Sequence, residues 1–209
     1  MLKYLNIQRL LVVVAIVLCV PLAAFAETKY GLKAGEKAPN INIKDVNGQI
    51  FDLNDSLKSG PVVVVFYRGG WCMYCNTQLR DLEAEVVPVT KKYNAKMIAI
   101  SVDKMESAVK TKDEDKLSFH VASDPEAKTL GDYNVQYKMT DELVKKYLSY
   151  KVDIETASGM KHHIIAVPSV FVIDTAGTIV YSYANDDYKV RAKIVDVKRA
   201  IMQTASSSE

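Results

Sequence analysis

At 209 residues, 49% apolar and 25% charged, the chain is too hydrophobic for a disordered protein, and its length suits one domain with one good core. Its 27 basic and 25 acidic residues give a formal charge of +2, so no basic surplus points to nucleic acid as a partner.

Residues 1–26 stand apart from the remainder. Lys3 and Arg9 make a basic start, Leu10–Val20 is an unbroken apolar run, and Ala24-Phe25-Ala26 is a small-x-small site before Glu27. That order predicts a secretory signal peptide cleaved after Ala26, and hence an exported, periplasmic protein. An uncleaved anchor is the competing reading, but spanning a bilayer takes roughly 20 residues, and Pro21 ends the apolar run. A membrane is therefore expected only through an uncleaved leader. Leu18 stands before Cys19 where a lipoprotein signal needs a small residue. Without the leader the chain is formally neutral and keeps Cys72 and Cys75 as its cysteines.

Residues 27–209 read as a single domain, with a core at about 33–203. "NINIKDVNGQIFDLND" at 40–55 alternates like a hairpin about Asn47-Gly48. Pro61–Tyr67 is a wholly apolar strand of the kind buried on both faces. A helix follows from about Met73, with Leu79, Leu82, Val86 and Tyr93 on one face and Pro88 expected to kink or end it. Lys96–Val102 is a second buried strand, Met105–Lys112 a short exposed helix and Leu117–Val121 a strand. A helix is predicted from near Pro125. The stretch 135–163 carries little signal beyond the amphipathic "KMTDELVKKY" at 138–147, which reads as a packing helix. Ile165–Ile173 and Thr178–Tyr183 are strands about the turn "DTAG", Asp187–Met202 is a closing amphipathic helix, and "TASSSE" is expected to fray. Strands alternating with helices before a late hairpin predict an α/β sandwich with a mixed central sheet.

The two cysteines fall where a buried strand gives way to a helix. Free amide hydrogens and the helix dipole stabilise a thiolate there, and the spacing lets both sulfurs come within disulfide range. A bridge closing so small a loop constrains the unfolded chain little, so it is a poor staple. Zinc needs about four ligands, and no second cysteine pair exists; no metal and no cofactor are implied. In an oxidising compartment the pair reads as a redox centre.

"VVVFYRGGWCMYC", "SDPEAKTLGDYNV" and "VPSVFVIDTAGTIVYSY" resemble the peroxiredoxin-like branch of the alkyl hydroperoxide reductase/thiol-specific antioxidant family, over roughly residues 33–200. The resemblance implies an α/β, thioredoxin-like three-layer sandwich. In that family the peroxidatic cysteine falls on Cys75, the peroxide-binding threonine on Cys72, the ring-closing proline on Arg68 and the peroxide-polarising arginine on Pro168; those three companions are absent. In the related thioredoxins the attacking thiol matches Cys72, the resolving thiol Cys75, and Pro168 the cis-proline beside the disulfide.

Two functions follow. The resemblance implies a hydroperoxide-reducing enzyme whose Cys72–Cys75 disulfide is reduced by an external, thioredoxin-like dithiol donor. The alternative is a thiol–disulfide oxidoreductase acting on exported proteins or cytochrome assembly, with Cys72 attacking and Cys75 resolving. Arg68 could supply positive charge to the thiolate, or be a surface arginine at a strand end. Trp71 is expected to shield the disulfide, and Gly69 and Gly70 to permit close approach or positive φ. His162-His163 are expected as ordinary loop histidines and His120 as a satisfied, partly buried one.

Overall fold

The computed structural model describes residues 29–206; the leader at 1–26 and the last three residues lie outside them. The hairpin forms as its sequence predicts: β1 (Asn42–Lys44) pairs antiparallel with β2 (Ile50–Asp52), and Gly48 takes φ +82° in the turn. The buried Asp45 carboxylate ties that turn down. It accepts the Asn47 and Gln49 amides at 2.9 Å and meets His120 Nδ1 at 2.8 Å, so His120 is a half-buried, satisfied histidine. Asp52 caps the short α1 (Leu53–Leu57) through the Asp55 amide.

β3 (Val62–Phe66) is the centre of a mixed five-stranded sheet in the order β5-β4-β3-β8-β9. It runs parallel to β4 (Lys96–Ser101), which runs parallel to β5 (His120–Ser123). On its other side it pairs antiparallel with β8 (Ser169–Ile173), which pairs with β9 (Ile179–Ala184). A strand flanked on both edges and covered on both faces must be apolar at every position, which accounts for the run VVVVF. Its alternate side chains feed two cores. Val62, Val64 and Phe66 join Ile98, Ile100, Tyr133 and Phe171 on one face. Val63, Val65 and Tyr67 join both cysteines, Leu79, Leu82, Val197 and Ile201 on the other. Helices over both faces of a mixed sheet make the three-layer α/β arrangement.

The helix after β3 does not end at Pro88. It runs as α2 (Met73–Asp81), widens into a π-helical turn (Leu82–Val86) and resumes as α3 (Val87–Lys92). The wide turn places Pro88 early in a new α segment, where its missing amide hydrogen leaves no gap in the ladder.

Elsewhere, boundaries move. α4 (Met105–Glu114) buries Ala108 and Thr111 rather than being exposed all round. Leu117 and Phe119 are buried, yet the strand starts only at His120. α5 (Lys128–Asp132) starts later than Pro125 because Ala127 is left-handed at φ +57°; the Asp124 carboxylate reaches past it to the Lys128 and Leu130 amides. The segment 135–163 holds β6 (Gln136–Lys138), α6 (Asp141–Ser149, capped by Thr140) and α7 (Ile154–Ser158). β7 (Ile164–Ala166) pairs with β6, and the apolar run 165–173 breaks at Val167-Pro168 before β8. The closing helix α8 is Ile194–Ser206, not Asp187–Met202. Side chains before it, Asn185 and Asp187, take the Asp187 and Lys189 amides and hold 185–193 out of helix. That irregular segment returns toward the cysteines.

Candidate active site

Cys72 is the N-cap of α2, with extended backbone, and Cys75 lies in the first turn. The Cys75 and Asn76 amides both donate to the Cys72 carbonyl, at 2.9 and 3.0 Å, so the helix starts on the first cysteine. Both are free thiols, and Cys75 Sγ donates to Cys72 Sγ across 2.7 Å. Cys72 is 4% exposed and Cys75 fully buried, so access differs little between them.

Their chemistry diverges strongly. The Cys72 thiol is pulled down to about 6, first by the Cys75 S–H donated to it, then by the Arg68 charge, the Cys75 amide and the Arg191 charge, all against burial. Cys75 is pushed well above the ordinary thiol range, first by burial and then by sharing its proton with Cys72. Both shifts favour the negative charge on Cys72 and the proton on Cys75. The alignment with the family names Cys75 as the attacking sulfur; the charge distribution favours Cys72.

Arg68 is not a surface arginine: it is 5% exposed. Its guanidinium carbon lies 4.2 Å from the Tyr188 ring centroid, 4.9 Å from that of Trp71 and 5.3 Å from that of Tyr147, and Nη2 donates to the Tyr147 hydroxyl. Three aromatic faces replace the water a guanidinium would otherwise hold. Trp71, half-buried, stands edge-on to Tyr147 and lines a cavity of about 400 Å³ with Cys72, Arg68 and Tyr188. Tyr147 comes from α6 and Tyr188 from the 185–193 segment, so these two elements form the far walls.

Pro168 is buried, but it lines a neighbouring hollow with Arg68, Val167 and Tyr188 rather than the cavity beside Cys72. The cis bond that the thioredoxin likeness implies at Val167-Pro168 is not present: no peptide bond among the described residues is cis. The Pro168 carbonyl accepts the Asn185 amide at 3.3 Å, which pins the returning segment to the sheet.

Both glycines before Trp71 are required. Gly69 takes φ +145°, and a Cβ there would stand 2.4 Å from Trp71 Nε1; a Cβ on Gly70 would stand 2.1 Å from Thr111 Oγ1. The Gly70 amide donates to Asp103 Oδ2 at 2.7 Å, while Oδ1 is buried without a protein partner. Burial pushes the Asp103 carboxyl up to about 7, with the Cys72 charge adding to it. The paired histidines are occupied elsewhere, His162 at the Pro125 carbonyl and His163 at Glu155.

Sequence reasoning missed Arg191, Tyr147, Tyr188 and Asp103. Arg191 Nη2 lies 3.3 Å from Cys75 Sγ and 3.8 Å from Cys72 Sγ, and Nη1 is held by Gln78 Oε1 at 3.1 Å. No local spacing links it to the cysteines. Tyr147 ends the amphipathic stretch 138–147, which reads from sequence only as a packing helix.

The fold has many solved relatives. The chain is 18% identical to the peroxidoxin BcpB of Mycobacterium tuberculosis, with a TM-score of 0.59 over 85% of this chain and 99% of that one. It is 20% identical to the mitochondrial 2-Cys peroxiredoxin of Plasmodium falciparum (TM-score 0.61; 85% and 98% covered). Against a mutant of Xylella fastidiosa PrxQ the figures are 17% and 0.62, with 85% and 98% covered. At these identities the likeness speaks for the fold. No curated protein sequence matches the chain. The family description AhpC/TSA matches residues 34–182, most of the chain, around the strand, the cysteine pair and the late hairpin described above. The chain belongs to the AhpC/TSA family, with the peroxiredoxin form of the thioredoxin fold and the thiol-dependent peroxidase chemistry that goes with it.

Proposed function

We propose that the protein is an exported, periplasmic thiol peroxidase in which Cys72 attacks the hydroperoxide and Cys75 resolves it. The observation that carries this order is Cys72 lining a cavity of about 400 Å³ beside Arg68, with the Cys75 sulfur 2.7 Å away; the Cys75 S–H and the Arg68 charge favour the thiolate on Cys72. The Cys72 thiolate attacks the terminal peroxide oxygen, the O–O bond breaks, and the leaving alkoxide or hydroxide takes a proton from solvent to depart as alcohol or water. The resulting sulfenic acid is attacked by Cys75, which closes the disulfide and expels water. An external dithiol of the thioredoxin-like kind then restores both thiols. Arg68 supplies the charge that the missing arginine at Pro168 would have given. The basic start, apolar run and Ala24-Phe25-Ala26 site support export.

A second reading has one observation in its favour: the thiolate is the first cysteine of the pair, as a disulfide oxidoreductase requires. A turnover assay decides between them. The mature protein is given one dithiol donor and either hydrogen peroxide or a protein disulfide as oxidant. Faster turnover with peroxide upholds the peroxidase; turnover with the protein disulfide alone overturns it.

A further inference from the structure

Resting on the Cys72-first order above, we infer that Arg191 is a catalytic residue of the reductive half-cycle, holding the negative charge that leaves on Cys75 when the disulfide is reduced. The two arginines stand in different relations to the pair. Arg68 is enclosed by Trp71, Tyr147 and Tyr188 on the cavity side, and its charge bears on Cys72. Arg191 does not line that cavity; it comes from the segment before α8, and its Nη2 is nearer Cys75 Sγ, at 3.3 Å, than Cys72 Sγ, at 3.8 Å. Gln78, buried on α2, fixes the guanidinium in that place through Nη1. Its Nε is buried without a protein partner, so a donor is held in reserve at the edge of the site.

The demand for such a charge follows from the order of bond changes. A thiolate of the external dithiol attacks Cys72 Sγ, forms a bond to it and breaks the Cys72–Cys75 bond. The electron pair of the broken bond departs on Cys75 Sγ. The dithiol's second thiol passes its proton to Cys75, its sulfur closes on the first, and Cys72 leaves as a thiolate. One dithiol is oxidised and one protein disulfide reduced. In the middle of this sequence a full negative charge sits on a sulfur with no exposed surface. An unpaired buried charge is costly, and a sulfur leaves faster as its thiolate is better stabilised. Arg191 is the cation in contact with that sulfur. Cys75 does not line the cavity, so until that proton arrives the incoming dithiol offers no compensating charge beside it.

The test separates this role from the peroxidase reading by making the disulfide with diamide, so that no peroxide chemistry is needed. Reduction of the oxidised protein by dithiothreitol is followed by the fluorescence of the single tryptophan, Trp71. Arg191→Met is expected to slow reduction about tenfold or more, Arg191→Lys to recover most of the rate, and Arg191→Met to move the pH midpoint of Cys72 alkylation less than Arg68→Met does. Arg191→Gln serves if the methionine variant does not fold, with the same slow reduction expected. Reduction of the uncharged variants at the parent rate overturns the assignment. So does a lysine variant as slow as the methionine one, because shape rather than charge would then be responsible.

Discussion

Cys75 hands its S–H to Cys72 across 2.7 Å, and that bond is the largest influence drawing the Cys72 thiol down to about 6. The buried resolving thiol thus prepares the cavity-lining nucleophile before any substrate arrives. The iodoacetamide alkylation rate of Cys72 should rise with a midpoint near pH 6, since the reactive thiolate is the form present above its pKa. Cys75→Ala removes the donor and should move that midpoint upward, while Cys75→Ser keeps a donor and should move it less. An unmoved midpoint in the alanine variant would show that the arginines alone hold the charge.

Single replacements also settle which sulfur meets the peroxide. Cys75→Ser should consume one equivalent of hydrogen peroxide and leave a sulfenic acid on Cys72, trapped by dimedone and located by mass spectrometry. Cys72→Ser should be inert on the same timescale. The opposite pattern would restore the family alignment, with Cys75 as the attacking sulfur.

Asp103 gives a stability signature. Its carboxyl is raised from 3.8 to about 7 in the fold, chiefly by burial. Between those values the unfolded chain ionises while the folded one stays protonated, so the unfolded state binds fewer protons and stability falls as pH rises through that window. Asp103→Asn keeps an acceptor for the Gly70 amide and removes the titration. Urea denaturation at pH 4 and pH 7.5 should show a larger loss on raising pH in the parent than in this variant; parallel losses would place the titrating group elsewhere.

Gly70 tests close approach. A methyl group there meets Thr111 Oγ1 at 2.1 Å, so Gly70→Ala should lower stability by roughly 1–3 kcal/mol, the ordinary cost of overpacking. Thr111→Ala removes the obstructing hydroxyl, and the double variant should regain part of the loss. Thermal melts of the four proteins form the cycle.

What the amino-acid sequence determined by itself is what local pattern can carry. An uninterrupted apolar run predicts a central strand, Asn47-Gly48 a hairpin, and the spacing of Cys72 and Cys75 a pair at a strand-to-helix junction; each is present. Local pattern misled where one residue's conformation overruled it: Ala127, left-handed, delayed α5. It misled again where side chains captured backbone amides, as Asn185 and Asp187 did, shortening the final helix to Ile194–Ser206. The tertiary structure alone decided the electrostatics of the site. Tyr147 from α6 and Tyr188 from the returning segment enclose Arg68, Arg191 touches both sulfurs from beyond β9, and Asp103 reaches up from the end of β4 to Gly70. These contacts join residues far apart in the chain, and they leave no periodicity because a charge acts through space and burial, not through spacing. The sequence could name two cysteines, but which of them carries the negative charge depends on the proton they share and on two arginines that folding brings to the pair.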